Sequence, residues 1–233
     1  MTSAPTSPTI IWPEKFLPGT TDNFVSNETI VKGLSAADIW KYLADITKWE
    51  SYYWNCSEIT PPESGPFLEK GDKFSFSTFG FPPLPSEVYE SVKPSKTEVG
   101  RIAWRAISDG DGDEDKAVDV YHAWVIEDLD HDRVRILTQE SQIGKPAAEL
   151  STKKPNPMLN GHQDWLDGLV KAAREGKQHR AELLALRLFS GHPNRMTTFV
   201  IRLVLLALLL FTCDDRLCSK RLSPAPCTST RYQ

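Results

Sequence analysis

Two histidines and a glutamate are the residues of this sequence best suited to proton transfer. His122 and Glu140 lie in two runs that are typical of neighbouring antiparallel strands, and His162 lies in a later run with helical periodicity. Histidine titrates near neutral pH, so His122, with Glu140 as the carboxylate that orients its ring, is a candidate catalytic acid and base. The alternative is that His122 is a buried histidine whose hydrogen bonds are simply satisfied. The sequence leaves both interpretations open.

The expected pairing of these strands places the polar groups on one face of a sheet. With a turn at Asp130 between strands 118–128 and 133–143, His122 faces Thr138. The same face is otherwise apolar, whereas charged residues alternate onto the opposite face, so we expect it to line the interior. The residues of this face are Val120, His122, Trp124, Ile126, Val134, Ile136 and Glu140.

Aromatic side chains are expected to surround these polar groups. His162 shares a helical stripe with Met158 and Trp165, so both histidines are expected to face one space. Four phenylalanines between Phe74 and Phe81 either line the mouth of a pocket or pack beneath neighbouring helices. The predicted ligand-binding residues are Phe76, Phe79, Trp104, Trp124, Thr138, His162 and Trp165.

The order of the elements that carry these residues indicates an α+β fold. A strand from Asn23 ends at Gly33, and Ser35, with Asp38 as its capping partner, begins a short amphipathic helix. A long helix begins near residue 158. Between the helices come strands at 71–80, 86–93, 100–108, 118–128 and 133–143. We therefore expect a curved antiparallel sheet of about six strands around a long C-terminal helix, with an internal hydrophobic cavity between them.

Composition and motifs exclude several classes of function. The 233 residues are 40% hydrophobic and 25% charged, which is typical of a globular chain, and the net charge of −4 argues against a nucleic-acid partner. The sequence has no phosphate-binding loop, nucleophile elbow, dinucleotide-binding glycine pattern or Cys/His metal set. We therefore expect no cofactor and no metal. No obligate protein partner is evident either.

Several segments resemble the START-like, or SRPBCC, superfamily, in its polyketide cyclase/dehydrase-like branch. They are residues 34–40, 45–49, 71–74, 101–104, 122–124, 138–141 and 161–166. The resemblance implies a helix-grip fold with an internal hydrophobic cavity; members include cyclases, dehydratases, lipid and sterol carriers, and chaperone activators. It leaves two functions open. One is a cyclase or dehydratase-like enzyme of secondary metabolism that uses acid–base chemistry without a metal, and the other is a non-catalytic carrier of a lipid or other hydrophobic molecule.

The ends of the chain differ from its centre. Residues 1–22, rich in Pro, Ser and Thr, are expected to be a disordered arm, and residues 23–187 to be the ligand-binding domain. Residues 188–233 form a tail with six basic and two acidic side chains and a hydrophobic segment at 197–213. That segment would be a membrane anchor, a helix docked on the domain, or a non-native extension from a misread gene boundary. The expected location is cytoplasmic, or the membrane if the tail is an anchor.

Overall fold

Seven strands of one antiparallel sheet and a long helix make up the fold. The computed structural model describes residues 9–189. The strands are β1 (Asn23–Lys32), β2 (Cys56–Thr60), β3 (Lys73–Thr78), β4 (Leu84–Val92), β5 (Gly100–Ser108), β6 (Val118–Leu129) and β7 (Arg133–Ile143). The helices are α1 (Ala36–Leu43), α2 (Trp49–Tyr52), α3 (Lys145–Thr152) and α4 (Pro157–Phe189). The strand order is β1-β7-β6-β5-β4-β3-β2 with every pair antiparallel, which confirms the predicted α+β class.

The described residues fall into two units, divided between Gln178 and His179. The sheet and every side chain of the site described below belong to the first unit. The hydrophobic segment 197–213 lies outside the described residues. Among residues 9–189, none of the helices is both long enough and apolar enough to cross a membrane.

The predicted helix start at Ser35 is confirmed. The backbone N–H of Asp38 donates to Ser35 Oγ at 3.2 Å, and the backbone N–H of Ser35 donates to Asp38 Oδ2 at the same distance. This capping box satisfies two donors at the start of α1 and fixes where the helix begins. Ile39 and Leu43, one turn apart, are then fully buried against the sheet.

The hairpin of β6 and β7 has a different register from the one predicted. His122 pairs with Glu140, and Trp124 pairs with Thr138. The loop is centred on His131, which adopts a positive φ of 65°, and not on Asp130. Moving the centre by one residue shifts each cross-strand partner by two, and a shift of two keeps every side chain on the same face. The predicted inner face is therefore correct, although its pairs are not.

Two elements were not predicted. Strand β2 has only one buried residue, Cys56, and its pairing with β3 is irregular between Ser57 and Thr60, so it lacks the alternation that identifies a strand. Helix α3 is eight residues long and buries only Ala147. Short elements with one buried contact leave almost no periodic signal in a sequence.

Residues 9–22 pack on the outer face of the sheet, so the predicted disordered arm does not describe this part of the chain. Ile10 and Phe16 are 8% and 2% exposed, respectively. Phe16 stacks on Tyr121 of β6 at 5.5 Å between ring centroids, and Trp12 contacts the same ring at 5.7 Å. Burial of these apolar groups outweighs the loop character that the prolines indicate.

Aromatic side chains fill the space between the inner face of the sheet and α4. Trp49, Trp104, Trp124 and Trp165 are each at most 2% exposed, and the rings of Trp49 and Trp165 lie 5.0 Å apart. These rings lie in the space that the sequence predicts as a cavity. Gly168 allows the close approach of α4, because a Cβ there would overlap the carbonyl oxygen of Tyr52.

Candidate functional site

The candidate site is a buried cluster of His122 from β6, Glu140 from β7 and His162 from α4. Nδ1 of His122 lies 3.0 Å from Glu140 Oε2, and Nε2 of His162 lies 3.3 Å from the same oxygen. The second contact is at ion-pair distance but lies outside hydrogen-bond geometry. All three residues are at most 5% exposed. The predicted strands and helix therefore bring the three polar residues to one point.

Thr138 completes the surroundings of His122. Its Oγ1 lies 2.8 Å from Nε2 of His122, so both ring nitrogens are engaged. Glu140 accepts, which assigns the proton of a neutral ring to Nδ1 and leaves the Nε2 lone pair to accept from the Thr138 hydroxyl. The result is a hydroxyl, an imidazole and a carboxylate in line.

The charge state of the cluster follows from burial and contact. Burial lowers the pKa of His122 from 6.5 to about 4, helped by His162 and opposed by Glu140, so the ring is neutral at physiological pH. Burial alone would raise the pKa of Glu140, but His122 and His162 outweigh it and hold the pKa well below its usual value. Glu140 is therefore an ionised acceptor beside a neutral base.

A chain of amides directs hydrogen-bond donors toward this carboxylate. Gln142 donates through Nε2 to Glu140 Oε1, and Asn23 donates to Gln142 Oε1 at 2.6 Å. Asn156, immediately before α4, donates to Asn23 Oδ1 at 2.9 Å and accepts from the backbone N–H of Met158 at 2.9 Å. Each donor points toward Glu140, so the chain stabilises a negative charge there and ties the start of α4 to β1 and β7.

Tryptophan rings enclose the cluster. The ring of His122 lies 4.6 Å from Trp104, 5.5 Å from Trp124 and 5.5 Å from Trp165. Trp124 Nε1 and both ring nitrogens of His162 are buried without a hydrogen-bond partner among the described residues. Unpaired buried polar atoms are costly, so these groups are where a polar atom of a ligand would gain most.

A metal ion is another occupant that two histidines and a carboxylate suggest. Ligand atoms of His122, Glu140 and His162 lie within 4.8 Å of one another. An imidazole binds a metal along a direction in its ring plane. Here the two rings stack with planes 7° apart and centroids 4.5 Å apart, so no nearby point lies in both planes. This arrangement suits a proton better than a metal, and the expected absence of a metal stays a prediction.

The structure places most of the predicted ligand-binding residues around this cluster. Phe79 is the exception: it is half-buried in the β3–β4 turn and packs on Gly161 of α4. His162 belongs to the cluster itself, and Phe76 contacts Trp165. The residues that contact His122 are Trp104, Trp124, Thr138 and Trp165. Their role in binding a ligand stays a prediction.

Sequence reasoning missed four residues of the site. Gln142 follows Glu140 by two positions and so shares its face, a signal that strand alternation supplies. Trp49 belongs to the aromatic run 49–54, which indicates packing on the sheet. Nothing in that run indicates the contact that Trp49 makes with Trp165. Asn23 and Asn156 join the site only through the pairing of β1 with β7 and the start of α4, which no local pattern indicates.

Two pockets of the described residues lie away from the cluster. One, of about 300 Å³, lies on β3, β4 and β5 and includes Tyr89 and Arg105. The other, of about 490 Å³, lies between α2 and α4 and includes Trp54 and Lys171. Neither includes His122, and the three residues of the cluster are at most 5% exposed.

Comparison with known proteins identifies the family. No protein-family profile and no curated protein matches the chain. Among solved structures, the hypothetical protein jhp0584 from Helicobacter pylori is 48% identical, with a TM-score of 0.68 over 74% of this chain and 99% of its own. The chain belongs to the same family as jhp0584. Norcoclaurine synthase from Thalictrum is 15% identical, with a TM-score of 0.50 over 66% of this chain and 96% of its own. Its likeness to this chain concerns the fold alone.

Proposed function

We propose that this protein is an enzyme that performs acid–base chemistry on a hydrophobic molecule between the sheet and α4, in the manner of a polyketide cyclase or dehydratase. The observation that carries the proposal is the neutral imidazole of His122, held between the Thr138 hydroxyl and the ionised Glu140. A neutral base fixed by an ionised carboxylate accepts a proton at Nε2 once the Thr138 hydroxyl rotates away from that nitrogen, and the carboxylate stabilises the imidazolium that forms.

The aromatic surroundings support a hydrophobic substrate. Apart from the cluster, the inner face presents indole, phenyl and aliphatic side chains, which favour contact with a planar or apolar molecule. A carbonyl or enolate oxygen of such a molecule is the acceptor that the unpaired Trp124 Nε1 lacks. The substrate class is therefore an aromatic or polyketide-like ketone.

Exchange of carbon-bound hydrogen tests the proposal without knowledge of the natural substrate. The probe is 2-tetralone, a hydrophobic ketone whose protons next to the carbonyl exchange with deuterium when a base removes them. We expect the protein to accelerate this exchange, and His122→Gln to lower the catalysed rate by about a hundredfold. His131→Asn is the matched control, because His131 is exposed in the β6–β7 turn and Asn tolerates its positive φ. Exchange that is unaffected by His122→Gln would contradict the proposal.

The second candidate is a carrier of a hydrophobic molecule, favoured by the burial of the cluster at no more than 5% exposure. A carrier needs the aromatic wall but not the base. It would bind 2-tetralone with no exchange, and Trp104→Ala would weaken that binding while His122→Gln would not. Quenching of tryptophan fluorescence by the probe measures binding directly.

A further inference from the structure

We propose that Thr138 is a nucleophile and that Thr138, His122 and Glu140 together cleave carboxylic esters of hydrophobic acids. The inference rests on the proposed function, since it uses the same site and the same class of hydrophobic molecule. It adds a covalent step and names the atom that performs it.

The geometry is that of a nucleophile, a base and an orienting carboxylate. Thr138 Oγ1 lies 2.8 Å from His122 Nε2, and His122 Nδ1 lies 3.0 Å from Glu140 Oε2. Both distances fall within hydrogen-bond reach, and the two contacts use opposite nitrogens of one ring. This is the arrangement by which a base removes the proton of a hydroxyl while a carboxylate holds the ring, and it is recognised by geometry and not by sequence position.

A donor for the developing oxyanion lies on the neighbouring strand. Trp124 is the cross-strand partner of Thr138, its side chain is 1% exposed, and its Nε1 has no hydrogen-bond partner among the described residues. Partners at the same register position are on the same face of the sheet. The indole N–H is therefore an unpaired donor on the same face of the sheet as the hydroxyl that would attack.

The reaction balances with water as the only other reactant. Thr138 Oγ1 forms a bond to the ester carbonyl carbon, its proton passes to His122 Nε2, and the carbon–oxygen bond to the alcohol breaks as the alkoxide takes that proton. Water then attacks the acyl-threonine, with His122 again accepting and returning the proton, and releases the carboxylic acid and free Thr138. Glu140 acts through His122 and is a positioning residue.

Acylation by 4-nitrophenyl octanoate tests the proposal on the full chain. We expect intact-protein mass spectrometry to show one octanoyl group, located at Thr138 by peptide mapping, with release of nitrophenol. Thr138→Val should lower the acylation rate by at least about a hundredfold, and Thr138→Ser should restore it. Thr29→Val, on β1 of the same sheet, is the matched control that should acylate normally. Circular dichroism verifies that each variant is folded.

The pH dependence of acylation separates positioning from folding. Glu140→Gln removes the charge that opposes deprotonation of the imidazolium, so the pH at which acylation reaches half its maximum should fall. A purely structural role for Glu140 leaves that midpoint unchanged. An octanoyl group that is absent from the wild type, or equally present on Thr138→Val, would overturn the nucleophile assignment. If 2-tetralone exchange still depends on His122 in that case, the proposed function stands without the acyl step.

Discussion

His122 makes the stability of this protein depend on pH. Burial lowers the pKa of His122 from 6.5 to about 4, and Glu140 and His162 are the titratable groups in contact with it. Between those two values the unfolded chain binds a proton at His122 and the folded chain does not. The free energy of unfolding therefore falls as the pH falls from 6.5 to about 4. Below that range the folded protein also binds the proton, so His122 causes no further loss of stability.

The size of the effect follows from the two pKa values. Going from about pH 7.5 to about pH 5 should lower the free energy of unfolding by about 2 kcal/mol through His122. Glu140 contributes little in this range, because its carboxylate is ionised in the folded protein and largely ionised in the unfolded chain. In His122→Gln the titrating ring is absent, so this part of the pH dependence should disappear.

Urea denaturation at the two pH values, followed by circular dichroism, measures the difference. The quantity of interest is the change in unfolding free energy for the wild type minus the change for His122→Gln. His131→Asn should behave as the wild type does. Equal losses in the wild type and His122→Gln would contradict the lowered pKa of His122. A wild type that gains stability on acidification would contradict it too, because such a gain requires a charged imidazolium beside Glu140 in the folded protein.

Three further predictions concern the packing that holds the site. Trp165→Ala should lower the free energy of unfolding by about 3–5 kcal/mol in urea denaturation, since its ring contacts Trp49, Tyr53 and His122. Gly168→Ala should lower the free energy of unfolding by about 1–3 kcal/mol, because the new Cβ would overlap the carbonyl oxygen of Tyr52. This cost should exceed the gain from the higher helix propensity of alanine, and a variant as stable as the wild type would contradict the packing. Ser35→Ala should cost about 1 kcal/mol through loss of the capping box, measured as a lower melting temperature.

The inner face of the sheet was predictable because it depends on local alternation. His122 and Glu140 were assigned to one side from the period of two in their strands, and that side is correct even though the turn is centred on His131. The cap at Ser35 was equally local. Each of these features is determined by residues within a few positions of one another.

Features that depend on distant parts of the chain could not be predicted in this way. The amide chain from Asn156 to Glu140 needs β1 beside β7 and α4 starting at one end of the sheet. The packing of the interior depends on how the side chains of Trp49, Trp104, Trp124 and Trp165 contact one another. The sequence indicates how many tryptophans there are and which face of a strand or helix each occupies, but not these contacts. The short strand β2 carries too few buried residues to produce a pattern.

The tautomer of His122 decides whether its ring can accept a proton from Thr138. Long-range nitrogen–proton NMR spectra of the protein labelled with ¹⁵N-histidine distinguish protonated from unprotonated ring nitrogens, and His122→Gln assigns the signal. At neutral pH we expect a neutral ring with the proton on Nδ1, toward Glu140, and an unprotonated Nε2 that accepts from Thr138. A His122 that is doubly protonated at neutral pH, or that carries its proton on Nε2, would contradict the account, because neither form can accept a proton from Thr138.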